Sequence, residues 1–249
     1  MLSLKKTHPK LLSLSLAGLA AFPTGCGEKD KKEGETTRKP NIIFIMADDM
    51  GYHDLGCYGQ TKIQTPNIDT LAAQGMRFTQ CYSGSTVSAP SRSVLMTGQH
   101  TGHTQVRGNF CEVGGIPVWD QGSLQLRPFL RPVDTTVADV LKEAGYVTGI
   151  TGKWGLGQPN TSGTPNRQGF DEWFGYLNQE NAHTYYPPYQ WRNEEKVILE
   201  GNQGDSQEQY SHDLHADFAL DFIKQNRDTS FFLYLPFQIP HGPYQVPSL

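Results

Sequence analysis

Apolar residues run without a break through Ile42, Ile43, Phe44, Ile45 and Met46. A run with no polar alternation predicts a strand covered on both faces, the pattern of a central strand in a parallel sheet. Residues 65–75 read as a helix: Thr65 stands at the N-cap, Pro66 suits the first helical position, and Gly75 ends it. Residues 76–82, from Met76 to Tyr82, predict a second strand. A helix over 135–144 is stopped by Gly145, and a strand follows from Tyr146 to Thr151. Residues 211–225 form a longer amphipathic helix, with Leu214, Phe218 and Phe222 on one stripe at spacings of four. Phe231, Phe232, Leu233, Tyr234 and Leu235 then read as another buried strand. This alternation of strand and helix predicts an α/β fold with a mainly parallel sheet.

Composition adds limits. The 249 residues, 37% apolar and 18% charged, suit one large globular domain. A formal net charge of -4 gives no basic face, which argues against nucleic acid as a partner. Lys5, Lys6 and Lys10 precede an apolar stretch from Leu11 to Phe22, too short to span a bilayer and typical of an export signal over 1–25. Thr24, Gly25 and Cys26 resemble a bacterial lipoprotein cleavage site, with Cys26 as the lipidated residue, although Pro23 replaces the usual aliphatic residue three positions before it. Residues 26–39 are charged and lack aliphatic and aromatic side chains, so they read as a flexible tether. The expectation is an exported protein, in the periplasm or on the outer-membrane surface, held to the membrane by a lipid anchor only. Cys57, Cys81 and Cys111 remain, an odd number that leaves at least one thiol unpaired.

Candidate chemistry sits just after the predicted strands, where α/β sheets place their ligands. The first strand is followed by Asp48 and Asp49, the Tyr146 strand by Lys153, and the Phe231 strand by His241. Adjacent carboxylates repel unless a cation neutralises them, and oxygen-only ligands favour calcium or magnesium. Neighbouring strand residues point to opposite faces, so both Asp residues can reach one ion only where the strand has ended; Gly51 supplies that break. Pro90 suits the first turn of a helix that would set Ser88 at its N-terminus, with Arg92 one turn on. Helix N-termini favour anions and Arg offers a fork of donors to an oxyanion, yet a serine at this position is ordinarily a cap.

The whole string from Ser88 through Ala89, Pro90, Ser91, Arg92 and Leu95 to Thr97 and Gly98 resembles the signature of the type I sulfatases, in the alkaline phosphatase superfamily. The segment from Lys39 to Asp49 resembles that family's opening strand and first metal ligands, and the helix at Pro66 its first helix. Lys153 in Thr151-Gly152-Lys153-Trp154-Gly155 resembles its lysine motif, and His241 in Pro240-His241-Gly242-Pro243 its histidine motif. The likeness runs from about Lys39 to the end of the chain. It implies a sheet covered by helices on both faces and hydrolysis of sulfate esters of sulfated carbohydrates or aryl alcohols. Ser88 is implied as the precursor of formylglycine, made before export by a radical enzyme. Calcium, with magnesium a poorer fit, is implied between Asp48, Asp49 and the group derived from Ser88. Arg92 and Lys153 would hold the charged oxygens and His241 would protonate the leaving alcohol. The hydrated aldehyde has a second hydroxyl with which to expel sulfate; a plain serine has none and would stall as a sulfated enzyme.

Two departures qualify the resemblance. Many members carry a second histidine where this chain has Gly155, and His103 or His183 is the substitute within reach of the pattern. The family also continues for a comparable length, with further metal ligands and another lysine, so residues 40–249 read as a partial catalytic domain that would be unstable and inactive alone. Residues 185–193, rich in Tyr with Trp191, read as a sugar-facing loop in which Arg192 could grip an anion, although aromatic residues such as Trp173 and Tyr176 equally serve packing. A phosphoester or phosphonate hydrolase of the same superfamily and a non-catalytic glycan-binding lipoprotein are the rival readings.

Overall fold

The computed structural model describes residues 38–120 and 122–247. The export signal, Cys26 and the tether as far as residue 37 lie outside the described residues. A six-stranded sheet organises the chain in the order β1 (Ile42–Asp48), β8 (Phe231–Pro240), β4 (Val147–Lys153), β5 (Glu172–Tyr176), β6 (Tyr189–Arg192) and β7 (Glu195–Ile198). The first four of these are mutually parallel, and β6 and β7 continue as an antiparallel meander. A separate hairpin joins β2 (Ile116–Asp120) to β3 (Ser123–Arg127). The helices are α1 (Pro66–Gln74), α2 (Ser88–Thr97), α3 (Val137–Glu143) and α4 (Ser211–Gln225). The α/β class with a mainly parallel sheet thus stands as the strand–helix alternation requires.

Strand β8 shows how the layers are held. Phe231, Leu233 and Leu235 face Phe218, Ala219 and Phe222 of α4, while Phe232 and Tyr234 face a second cluster containing Ala89 and Met96 of α2 and Ala138 of α3. Successive side chains point to opposite faces, so one apolar strand serves both layers. Each buried Phe or Leu stabilises the fold by roughly 1.5–3 kcal/mol. Helix α3 begins with a capping box: Asp139 N–H donates to Thr136 Oγ1 at 3.2 Å and Thr136 N–H to the Asp139 carboxylate at 2.8 Å. Gly145 follows it at φ +84°.

Several expectations need correction. Strand β1 is not central: among the described residues it lies at the sheet edge, and Ile45 is 60% exposed. An apolar run shows that a strand has two apolar faces, but long-range pairing decides its neighbours. Residues 76–82 are not a strand; they are irregular, with Met76, Phe78 and Tyr82 exposed and no ladder partner. The buried stripe of α4 is Ser211, His215, Phe218, Ala219 and Phe222, rotated from the stripe through Leu214. Thr65 stands at the N-cap of α1 without capping it; its hydroxyl donates to Asp69 at 3.0 Å and accepts from Gly56 N–H. Cys57, Cys81 and Cys111 are all free thiols.

Candidate active site

The carboxyl ends of β1 and β4 meet the N-terminus of α2. At the end of β1 the register with β8 jumps, from Ala47 opposite Phe237 to Asp48 opposite Pro240. Such a bulge re-aims a side chain at the rim of a sheet. Asp49 then adopts φ +63°, a left-handed conformation that Asp tolerates better than most residues. The strand therefore ends at Asp48, before Gly51, and the Asp49 carboxylate is freed from strand alternation.

Asp48 is 8% exposed and holds the centre of the site. Lys153 Nζ lies 2.6 Å from its Oδ2, and Arg92 Nη2 lies 3.5 Å from the same oxygen. Ser88 Oγ donates to Asp48 Oδ1 at 3.1 Å. Ser88 is the first residue of α2 and makes no capping bond. Its hydroxyl is turned into the site, not onto the helix backbone. Arg92 and Lys153 are each 1% exposed. Arg92 Nη1 donates to the Lys153 carbonyl, which ties α2 to the end of β4, while Nη2 makes no hydrogen bond.

Burial pushes the Asp48 carboxyl up, but the Arg92 and Lys153 cations outweigh it and hold the pKa below the ordinary range. Burial pushes the Lys153 ammonium down, with Asp48 opposing and Arg92 adding to the fall. Two buried cations thus face one buried carboxylate. The excess positive charge, with a donor free on Arg92, suits an anion with several oxygens.

His241 follows β8, its Nε2 3.5 Å from Asp49 Oδ2. Its Nδ1 is hydrogen-bonded to the Gly242 carbonyl. Tyr185 Oη donates to the His241 carbonyl at 2.8 Å. His183 stacks on His241 with ring centroids 5.2 Å apart and planes 10° from parallel. His103 is exposed in the segment after α2, where its ring meets His100. Arg192 is not brought to the site: it pairs with Glu172 at 2.9 Å, at the opposite end of β5, and lies over the Phe218 ring. Residues 189–192 form a strand rather than a sugar-facing loop, and Tyr185, Trp173 and Tyr176 are buried in packing.

A cavity of 350 Å³ opens over this cluster, lined by Asp48, Asp49, Ser83, Ser88 and Arg92. Its donors to a cation are two carboxylates and a hydroxyl, all oxygen. They fit a hard divalent ion in kind and supply part of the six to eight oxygens that calcium takes. Among the described residues no group of three or more His, Cys, Asp or Glu forms a metal site.

Three features of the site carry no mark in the sequence. Val87, just before Ser88, adopts φ +53°, a strained conformation for a β-branched residue. Asn109 caps the N-terminus of α2 from a distant loop, accepting from Ala89 N–H at 3.0 Å. Gln179, 4% exposed, fills the space beside Gly155 and Arg92.

Comparison with known proteins sets the chain beside sulfatases. An N-acetylgalactosamine-6-O-sulfatase of Bacteroides thetaiotaomicron is 42% identical over 181 residues, covering 67% of this chain and 32% of that protein. The human N-acetylgalactosamine-6-sulfatase is 36% identical, covering 82% of this chain and 40% of its own length. Among solved structures, that of Ps i-CgsB in complex with k-i-k-neocarrahexaose has a TM-score of 0.68 at 31% identity, over 84% of this chain and 47% of the other. The chain spans a third to under half of the length of these relatives. The sequence model of the sulfatase family matches residues 40–248, a span that includes every group assembled around Asp48, and the chain belongs to that family.

Proposed function

We propose that the protein hydrolyses sulfate esters of sulfated glycans at the Ser88 site. One observation carries this reading: Ser88 Oγ is bound to Asp48 beside two buried cations, at the point where the strands end. The relatives named as N-acetylgalactosamine and N-acetylglucosamine 6-sulfatases, and the structure bound to a neocarrahexaose, support a sulfated sugar as substrate.

Arg92 and Lys153 hold the sulfate oxygens, Arg92 through Nε and Nη2, which make no hydrogen bond, and Lys153 as a point charge. Both are locked by neighbours, so they lose little entropy when the anion enters. His241 lies beside Asp49, on the side where the alcohol would depart. Its Nε2, 3.5 Å from Asp49 Oδ2, can give that oxygen a proton in the imidazolium form. Asp48, Asp49 and the Ser88 oxygen would hold a calcium ion, which supplies positive charge against the sulfate oxygens and acidifies a bound hydroxyl. Ser88 is read as the residue oxidised to formylglycine, whose hydrate offers one hydroxyl for attack on sulfur and a second for expelling sulfate. We further propose export before action, supported by the leader at Lys5 to Phe22 and by Cys26 as a lipid anchor. Formylglycine formation on Ser88 is assigned to a radical enzyme that acts before export.

The test is turnover of matched sulfate and phosphate esters of the same alcohol by the native protein. The reading expects sulfate to be strongly preferred. Preference for phosphate would move the site to phosphoester hydrolysis, and binding of sulfated oligosaccharide without turnover would make it a binding module.

A further inference from the structure

The geometry points to His183 as the residue that positions the His241 imidazole, an inference that rests on the sulfate-ester reading of the site. Gly155 stands at φ +80°, and a Cβ placed there would lie 2.1 Å from Gln179 Nε2. Gln179 is itself buried and would have to shift to admit a side chain there. As placed, it occupies the space at the end of β4 that a second imidazole would need. The loop after β5 supplies one instead. His183 closes a short turn, Asn181–His183, and its ring lies flat on that of His241.

That loop is tied to the segment bearing His241 by four hydrogen bonds, one of them from Thr184 Oγ1 to Gln245 Oε1 at 3.4 Å. Tyr185 Oη donates to the His241 carbonyl at 2.8 Å, Tyr185 N–H to Gln245 Oε1 at 2.9 Å, and Gln238 Nε2 to the Thr184 carbonyl at 3.2 Å. Both rings are thus carried on one clamped unit. A carbonyl only accepts, so the bond to Gly242 keeps one proton on Nδ1, and the proton given to the leaving alcohol is the second one, carried on Nε2 by the imidazolium. The bond restrains one edge of the ring, and the flat stack on His183 restrains its rotation about the remaining torsion. Acting through His241, His183 is a positioning residue. A misdirected acid of this kind loses on the order of 10- to 100-fold in rate.

The experiment compares His183→Ala and His183→Phe in the full chain, using a sulfate ester that the wild type turns over, with Arg227→Ala, an exposed residue, as control. His183 is exposed, so neither change removes core packing. We expect kcat to fall about 10- to 100-fold in His183→Ala with KM within about 2-fold. His183→Phe keeps a flat ring without ring nitrogens and should restore most of kcat, and Arg227→Ala should match wild type. Long-range 15N spectra of the His241 ring read the stack without turnover. The Nδ1–H tautomer should dominate in wild type and His183→Phe and be mixed in His183→Ala. Wild-type kcat and an unchanged tautomer in His183→Ala would overturn the inference. So would a His183→Phe protein as damaged as His183→Ala, since that result assigns the imidazole nitrogens chemistry of their own. A wild type inactive on every sulfate ester, with the tautomers shifting as expected, would overturn the functional reading and leave the positioning role standing.

Discussion

Replacing Asp48 by Asn keeps the shape of the side chain and removes the only carboxylate buried between Lys153 and Arg92. Both cations are 1% exposed, so neither can turn to water without local unfolding. Removing one partner from a buried charge cluster costs about 3–5 kcal/mol. A second route to the magnitude agrees. The guanidinium cannot shed its proton, so the escape open to the variant is deprotonation of Lys153. That costs about 1.4 kcal/mol for each pH unit below the ordinary lysine value of about 10.4, hence about 5 kcal/mol at pH 7. Lys153 would be protonated in the unfolded variant and neutral in the folded one, so folding releases a proton and the stability of the variant rises with pH. The burial that already pushes the Lys153 pKa down in the wild type sets the direction. Urea denaturation at pH 7, 8 and 9 with a chelator present reads the effect. The gap between Asp48→Asn and wild type should be about 3–5 kcal/mol at pH 7 and shrink by about 1.4 kcal/mol per pH unit. A gap below about 1 kcal/mol at pH 7, or one that does not change with pH, would refute the claim that Asp48 compensates two buried cations.

His215 carries a separate pH dependence. Burial first, and His212 second, push its pKa down to about 3, and its ring is bonded to Gln190 in the core. It stays neutral in the fold while the unfolded chain takes up a proton near pH 6.5, so its contribution is complete above pH 6.5 and is lost as pH falls towards 3. Stability should drop by about 1.4 kcal/mol per pH unit through pH 6 to 4 from this group, and His215→Gln should flatten that slope in chemical denaturation. Val87→Gly should raise stability by about 1–2 kcal/mol in the same assay, because glycine relieves the strain at φ +53° and Val87 is exposed. The variant should also lose turnover as the N-terminus of α2 loosens; unchanged stability would mean that the conformation stores no strain.

The chemistry of the site was legible because it is local. Asp48, Lys153 and His241 follow apolar strands directly, and a parallel sheet delivers strand ends to one edge whatever the order of the strands. Ser88 and Arg92 lie one turn apart on a helix whose start is marked by Pro90. What depends on distant partners was not legible. The apolar run at Ile42 could not say that β1 lies at the edge, since β8 is almost two hundred residues away in the chain. Met76 to Tyr82 has strand-like composition but no strand beside it. Arg192 reads as a free anion grip until pairing of β6 with β5 turns it towards Glu172. Val87 has the residue type that argues most strongly against the backbone it adopts. His183 and His103 were equal candidates for the missing histidine until folding laid His183 on His241.

The central claim is that Ser88 becomes the nucleophile of a sulfate-ester hydrolase. The tryptic peptide from Phe78 to Arg92, isolated from native protein, tests it most directly by mass. The account predicts a species lighter than the encoded peptide by two hydrogens, with the change assigned to Ser88 by fragmentation. Only unmodified serine at position 88, in a host that performs this oxidation on other proteins, would contradict it.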